Sequence, residues 1–449
     1  MELLDLARQL GLDTGEAPRI QPDRCLNSRF RQRECSICQD VCPVEAITVF
    51  HGDTRTLAPP RVTLDEDTCA RCGLCLHACP TEAFEHPARP VWQHRLRQWN
   101  EQLSTSAIEL VCPVQKEQPT EAPVAARLQT GRCLAALSLA DLIDLARPHA
   151  HDLWLDDRAC ATCPLAAVHD DIEHTVHQAN LLLEAWGHPA RVRTYARDGE
   201  RKGEPRVVPE HDGQQRPMTR RDLFNVLRGR ATQVAVTMAA EKLAPAPQAP
   251  HPSPRYRLNT YLPRERRLLT AALERLGRPQ QEVLDLSELP WTVVQVNDAC
   301  SACGLCARFC PTAAIRFYTT APTEDTEGHF TLTFVPSDCV DCGICVLACP
   351  EDAISLVDVI YTDWLTAREE ALLHEGPLVP CEDCGQPTAK ANPSLCFTCK
   401  ARRERQHRLT DGLASIINPE HSSSRQGTGP TAEPSTPNSL DQGGSQDLD

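Results

Sequence analysis

The placement of cysteine constrains this chain more than any other feature. Twenty-four of its 449 residues are cysteine, and they fall in groups whose sizes are multiples of four. Eight lie at the front: Cys25, Cys35, Cys38, Cys42, Cys69, Cys72, Cys75 and Cys79. Four sparser ones follow at Cys112, Cys133, Cys160 and Cys163, and then comes a long cysteine-free stretch. Eight more run from Cys300, Cys303, Cys306 and Cys310 to Cys339, Cys342, Cys345 and Cys349, and the last four are Cys381, Cys384, Cys396 and Cys399. Four is the ligand number of a tetrahedral metal ion or a cubane cluster, and none is left over.

Composition supports metal over disulfides. The opening Met1 to Leu12 reads as a short amphipathic helix without the basic start or cleavage site of a secretory signal. Apolar runs fall far short of the roughly 18 residues of a membrane span. The expected location is therefore cytoplasmic, where dense cysteines bind metal more often than they pair. A net charge of −15 argues against a chain built to coat nucleic acid or an anionic membrane. Thirty-seven prolines suggest modules joined by stiff linkers.

The two eight-cysteine groups are an internal repeat. Each half-repeat ends in Cys-Pro and a run expected to be helical: Cys42 to Ile47, Cys79 to Phe84, Cys310 to Ile315 and Cys349 to Ile354. Strand-like pieces, Ala314 to Tyr318 and His329 to Val335, lie between the halves.

The spacing C-x2-C-x2-C-x3-C-P at Cys69, Cys300 and Cys339 resembles that of bacterial two-cluster ferredoxins. In that family three thiolates of a tight loop hold one [4Fe–4S] cubane, and the fourth cysteine reaches to the other cluster. The resemblance therefore assigns Cys300, Cys303, Cys306 and Cys349 to one cluster, and Cys339, Cys342, Cys345 and Cys310 to its neighbour. In the front module it groups Cys69, Cys72 and Cys75 with Cys42. The remaining half-repeat departs from the pattern, because Gln32 stands where the first ligand belongs. Cys25, separated from Cys35 by nine residues, is the expected replacement, completing a set with Cys35, Cys38 and Cys79. Loop closure over the longer span adds little entropy. A free Cys25 beside a three-iron cluster is the alternative.

The middle region reads as strands (Ala107 to Val111, Asp152 to Leu155, Arg191 to Tyr195) alternating with helices, Leu134 to Ala146 and Pro164 to Trp186. That order implies a small α/β domain with a parallel sheet. With its Cys-Pro, its Cys133-Leu134 and its Cys160-x2-Cys163, the region distantly resembles the delta-subunit domain of methyl-viologen-reducing hydrogenases. That resemblance implies an iron–sulfur centre on Cys112, Cys133, Cys160 and Cys163. A redox dithiol at Cys160 and Cys163, activated by a helix N-terminus, competes with it, as do zinc and merely buried cysteines. The acidic and histidine residues from His169 to His177 read as a solvated helix face rather than a metal site.

Ala196 to Met218 reads as a linker or exposed hairpin, and an arginine-led segment from Thr219 to Phe224 follows. That segment resembles a twin-arginine export signal but is better explained as the start of a docking helix. A Pro-rich spacer, Pro245 to Pro254, and an amphipathic helix from Arg264 to Gly277 follow. Cys381-x2-Cys384 and Cys396-x2-Cys399 resemble the two knuckles of a zinc ribbon, with rubredoxin-like iron as the alternative. The basic residues from Lys400 to Arg408 read as a solvated helix, not a nucleic-acid surface.

The expected architecture is an α+β multidomain chain with two ferredoxin-like modules, 1–90 and 289–360, flanking an α/β domain over 105–197. Linker and helices occupy 198–288, a zinc-ribbon-like unit 378–402, and a disordered tail 420–449. Four or five [4Fe–4S] clusters and one zinc ion are the expected cofactors. The expected function is relay of single electrons, with redox proteins of a larger oxidoreductase complex as partners, rather than stand-alone catalysis. The competing reading is a disulfide- or heterodisulfide-reductase-like enzyme whose active centre is Cys112, Cys133, Cys160 and Cys163.

Overall fold

The computed structural model describes residues 17–53, 55–115, 118–201, 203–215, 258–320, 327–391 and 393–417. The Met1–Leu12 helix, the Thr219–Phe224 segment, the Pro245–Pro254 spacer and the 420–449 tail lie outside the described residues.

The two repeats build the same small frame. In the second, Val293–Val296 pairs antiparallel with Ile354–Val357, and Ile315–Thr320 forms a hairpin with Gly328–Phe334. In the first, Ile47–Phe50 pairs with Arg61–Leu64, while the outer pair shrinks to Arg19–Ile20 against Phe84–Glu85. The runs after each Cys-Pro are not helical. The short helices precede the Cys-Pro instead, at Ile37–Asp40, Cys75–Ala78, Leu305–Phe309 and Ile344–Leu347. After it comes a turn whose third residue is left-handed: Glu45 (φ 54°), Glu82 (48°), Ala313 (58°) and Asp352 (49°). In the first repeat its N–H returns to the cysteine carbonyl, Glu45 to Cys42 at 3.2 Å and Glu82 to Cys79 at 3.1 Å. A left-handed residue stops a helix, so the following apolar residue enters a strand, as Ile47 and Ile315 do.

The middle sheet is parallel throughout, in the order Val192–Thr194, Leu153–Asp156, Ile108–Val111, Ala126–Gln129, Glu210–Asp212. The last strand comes from the stretch expected to be a linker or exposed hairpin, and instead joins the sheet as a parallel edge. Gly213, just after it, lies so close that a Cβ would overlap the Gln129 carbonyl oxygen, and only glycine permits that approach. The helical run expected from Leu134 to Ala146 divides at Ser138. That residue caps Leu139–Ala146 in a reciprocal capping box with Asp141. The long helix starts at His169 rather than Pro164, after two 3-10 turns, and ends at Ala185 before Gly187 at φ +67°.

Two helices bind the sheet to its surroundings. Arg89–Gln102, which has no strong periodic signature, buries Trp92 and Leu96. Arg264–Leu276 lays Leu269, Ala272 and Leu273 into the same continuous core. Beyond the second repeat, the long strand Ala371–Pro380 extends its hairpin by pairing with Gly328–Phe334, and carries Pro387–Ala389 on its other edge. Among the described residues no helix is long and apolar enough to cross a membrane.

Candidate metal centres

Each regular cysteine loop bends at the residue before its second cysteine. That residue is left-handed in all three: Arg71 (φ 54°), Ala302 (56°) and Asp341 (47°). Glu34, before Cys35, has φ 46°. The irregular half-repeat thus keeps the loop conformation although Gln32 replaces the first cysteine.

Burial and mutual charge show which thiols gather. Burial, then the charges of Cys79, Cys35 and Cys25, push the Cys38 thiol up to about 12. Cys75 is raised by burial and then by Cys72, Cys69 and Cys42. In the second repeat burial and Cys303, Cys300 and Cys349 push Cys306 up to about 12. Burial and Cys339 and Cys310 do the same to Cys345. Around Cys300, Cys303, Cys306 and Cys349 the walls are apolar, including Val296, Phe317 and Leu332. Cys306 is buried and the other three are half-buried, and sulfurs gathered in this way carry charge together more easily around a bound cation than alone. Thiolate-ligated iron fits that donor chemistry.

In the parallel sheet, Cys112 follows Ile108–Val111 directly, Cys133 lies beyond Ala126–Gln129, and Cys160 and Cys163 lie beyond Leu153–Asp156. These are the carboxyl ends of the three central strands, where the strand order reverses and open α/β sheets bind ligands. The four cysteines line a cavity of about 330 Å³ with Leu134, Leu165 and Val168. Cys72 of the first repeat lines it too. Burial, then Cys133, Asp157 and Cys112, push Cys160 up to about 12. The expected placement of Cys160 at a helix N-terminus is corrected. Cys160 sits in the 3-10 turn Arg158–Thr162, not at a helix N-terminus, and its thiol is raised rather than lowered.

Behind this cavity the sheet carries a buried ionic network that sequence reasoning missed. Arg127 Nε donates to Glu109 Oε2 at 2.7 Å, and Nη2 to Asp156 Oδ2 at 3.1 Å. Nη1 reaches Glu210 Oε2 on the edge strand at 3.0 Å, and Tyr195 donates to Glu109 Oε1 at 2.5 Å. The available signal was one charged residue inside each apolar strand: Glu109, Arg127 and Asp156.

The four knuckle cysteines converge most tightly, with all sulfurs within 4.8 Å of one another. Cys384 Sγ lies 3.6 Å from Cys396 Sγ, and the Cys396 N–H points at Cys381 Sγ. The unit rests on the second repeat, where Thr388 Oγ1 and the Ala389 N–H both donate to the Ser301 carbonyl at 3.2 Å. Its basic helix is partly neutralised, since Arg402 and Arg403 pair with Asp383 and Lys400 with Glu351. On the long helix, His169 and Glu173 gather with Asp157, and His169 Nε2 lies 2.9 Å from Asp157 Oδ2. Glu173 is already paired with Arg197.

Residues 32–83 and 299–353 match the family model of the 4Fe-4S dicluster domain. The chain carries two such domains. Cys25 precedes the first match, which opens at Gln32. Over 64 residues the chain is 38% identical to one subunit of the Ferredoxin/F(420)H(2)-dependent CoB-CoM heterodisulfide reductase of Methanosarcina acetivorans. It is 36% identical over 64 residues to the corresponding subunit of the Ferredoxin:CoB-CoM heterodisulfide reductase of Methanosarcina mazei. Each alignment covers 12% of this chain and 8% of the relative. The two dicluster regions make iron–sulfur clusters the groups their cysteines are suited to hold.

Proposed function

We propose that the chain is a five-centre electron relay within a larger oxidoreductase complex. Cys25, Cys35, Cys38 and Cys79 hold one [4Fe–4S] cluster, and Cys42, Cys69, Cys72 and Cys75 hold the next. Cys310, Cys339, Cys342 and Cys345 hold a third, and Cys300, Cys303, Cys306 and Cys349 a fourth. Cys112, Cys133, Cys160 and Cys163 hold a fifth iron–sulfur centre. Zinc is the ion of Cys381, Cys384, Cys396 and Cys399.

The observation that carries this reading is the unbroken order of the sets. Cys133 feels the charge of Cys72, Cys75 that of Cys38, and Cys345 that of Cys306. Cys35 and Cys342 belong to one apolar cluster between the two dicluster domains. Each centre thus has a near neighbour on the next, as successive single-electron steps need. The protein's part is to fix this order and set potentials through burial and hydrogen bonds, such as the Ala83 N–H on Cys79 Sγ and the Ala353 N–H on Cys349 Sγ. By similarity to heterodisulfide reductase subunits, the relay's donor and acceptor are other redox proteins of its complex.

The cavity beside Cys160 and Cys163 favours a second reading, a disulfide-reducing centre. Cys160→Ser and Cys163→Ser separate the two. In the relay they remove iron. In the enzyme they abolish disulfide turnover while every iron stays.

A further inference from the structure

The nine residues between Cys25 and Cys35 replace what is elsewhere a two-residue gap between ligands. They form two short turns, Leu26–Arg29 and Arg31–Arg33, that lie against the second dicluster domain. Leu26, 2% exposed, packs with Ile344 and Ala348 of the Cys339 loop helix, together with Phe30, Cys35, Phe309 and Cys342. Phe30 meets Phe309 edge to face, ring centres 5.0 Å apart.

Two arginines of the insert reach ligand residues of the opposite domain. Arg29 donates from Nε to the Phe309 carbonyl at 2.8 Å and from Nη2 to the Cys310 carbonyl at 3.1 Å. Arg33 Nε donates to the Cys342 carbonyl at 2.6 Å. Both cations therefore sit on the backbone of one cysteine set while the chain that carries them closes the neighbouring set.

We infer that this insert is the electron bridge between the two dicluster domains, with Arg29 and Arg33 as its positioning residues. The inference rests on the iron–sulfur reading of these two sets. One electron passes between the Cys339 set and the Cys25 set. The donor set is oxidised by one electron, the acceptor set is reduced by one, and no bond or proton changes. Moving the ligand from position 32 to Cys25 frees the loop to become the docking surface. The arginine forks hold the two sets in register. Their positive charge also favours the more negative, reduced state of the Cys339 set, and so raises its potential.

The test uses the full chain, purified anaerobically with its iron, as wild type and as the Arg29→Gln/Arg33→Gln pair. Iron per chain, potentiometric titration followed by electron paramagnetic resonance, and spin–spin broadening in the fully reduced protein are measured. The bridge predicts unchanged iron, one cluster shifted to a more negative potential, and reduced broadening. Arg29→Lys/Arg33→Lys, which keeps the charges without the guanidinium fork, restores the potential but not the full broadening. Should the double variant lose iron, Arg33→Gln alone, which removes the hydrogen bond to the Cys342 carbonyl and leaves both Arg29 bonds in place, carries the same test. Unchanged potential and unchanged broadening in an iron-replete variant overturn the bridge. Absence of iron from the wild type removes the reading beneath it instead.

Discussion

Cys72 of the first dicluster domain and Cys133 of the parallel-sheet unit line one cavity. A sequence separation of sixty-one residues is closed because Gly73, at φ +86°, lets the cysteine loop lie on Ala136. The junction joins the proposed fifth centre to the other four.

The contact makes Gly73 a sensitive position. A Cβ there would lie 2.8 Å from the Ala136 Cβ, whereas at Gly343, at φ +69°, it would meet nothing within 4 Å. Both alanine variants carry left-handed strain of about 1–2 kcal/mol, and Gly73→Ala adds the overlap. Thermal unfolding of the anaerobic holoprotein should fall further for Gly73→Ala than for Gly343→Ala. Equal losses would mean that the loop does not seat on Ala136.

Removing Arg127 tests the buried network. Arg127→Met leaves Glu109 and Asp156 without their common cation, at a cost of about 3–5 kcal/mol. Burial already holds the Glu109 carboxyl above the usual carboxylate range, and Arg127 opposes that rise. In the variant the folded-state pKa rises further. A carboxyl raised in this way stabilises the fold below its unfolded value and loses that contribution as pH climbs through the folded one. Denaturant unfolding should therefore show a larger cost at pH 8 than at pH 5. A cost independent of pH would contradict the assignment.

The knuckle unit rests on the Cys300 loop through Thr388, Ala389 and Ser301. Cys381→Ser/Cys399→Ser should lose about one zinc per chain and keep its iron under anaerobic conditions. On exposure to air it should bleach faster than wild type. An unchanged bleaching rate would separate the knuckles from cluster protection.

Much of the design could be read from spacing. The three regular loops, the two repeats, a parallel sheet with three of its strands and the closing Gly187 all follow from local patterns, whereas the central strand Ala126–Gln129 carried no such signal. The turns after each Cys-Pro did not. Proline suits a first helical turn, but the left-handed Glu45, Glu82, Ala313 and Asp352 turn the chain into strands, and nothing local marks an alanine or aspartate for that conformation. The strand Glu210–Asp212 was hidden because it is polar and held by pairing with Ala126–Gln129, a distant contact. Arg29 and Arg33 looked like surface charge in a loop insertion. Their role depends on carbonyls some three hundred residues away, which no spacing reveals.

Iron, acid-labile sulfide and zinc measured on the anaerobically purified full chain test the central claim most directly. Five four-iron centres predict about 20 irons with a matching amount of sulfide, and the knuckles predict about one zinc. About 16 irons, with the Cys112/Cys133/Cys160/Cys163 serine variant no lower than wild type, would remove the fifth centre. Iron near zero would contradict the relay altogether.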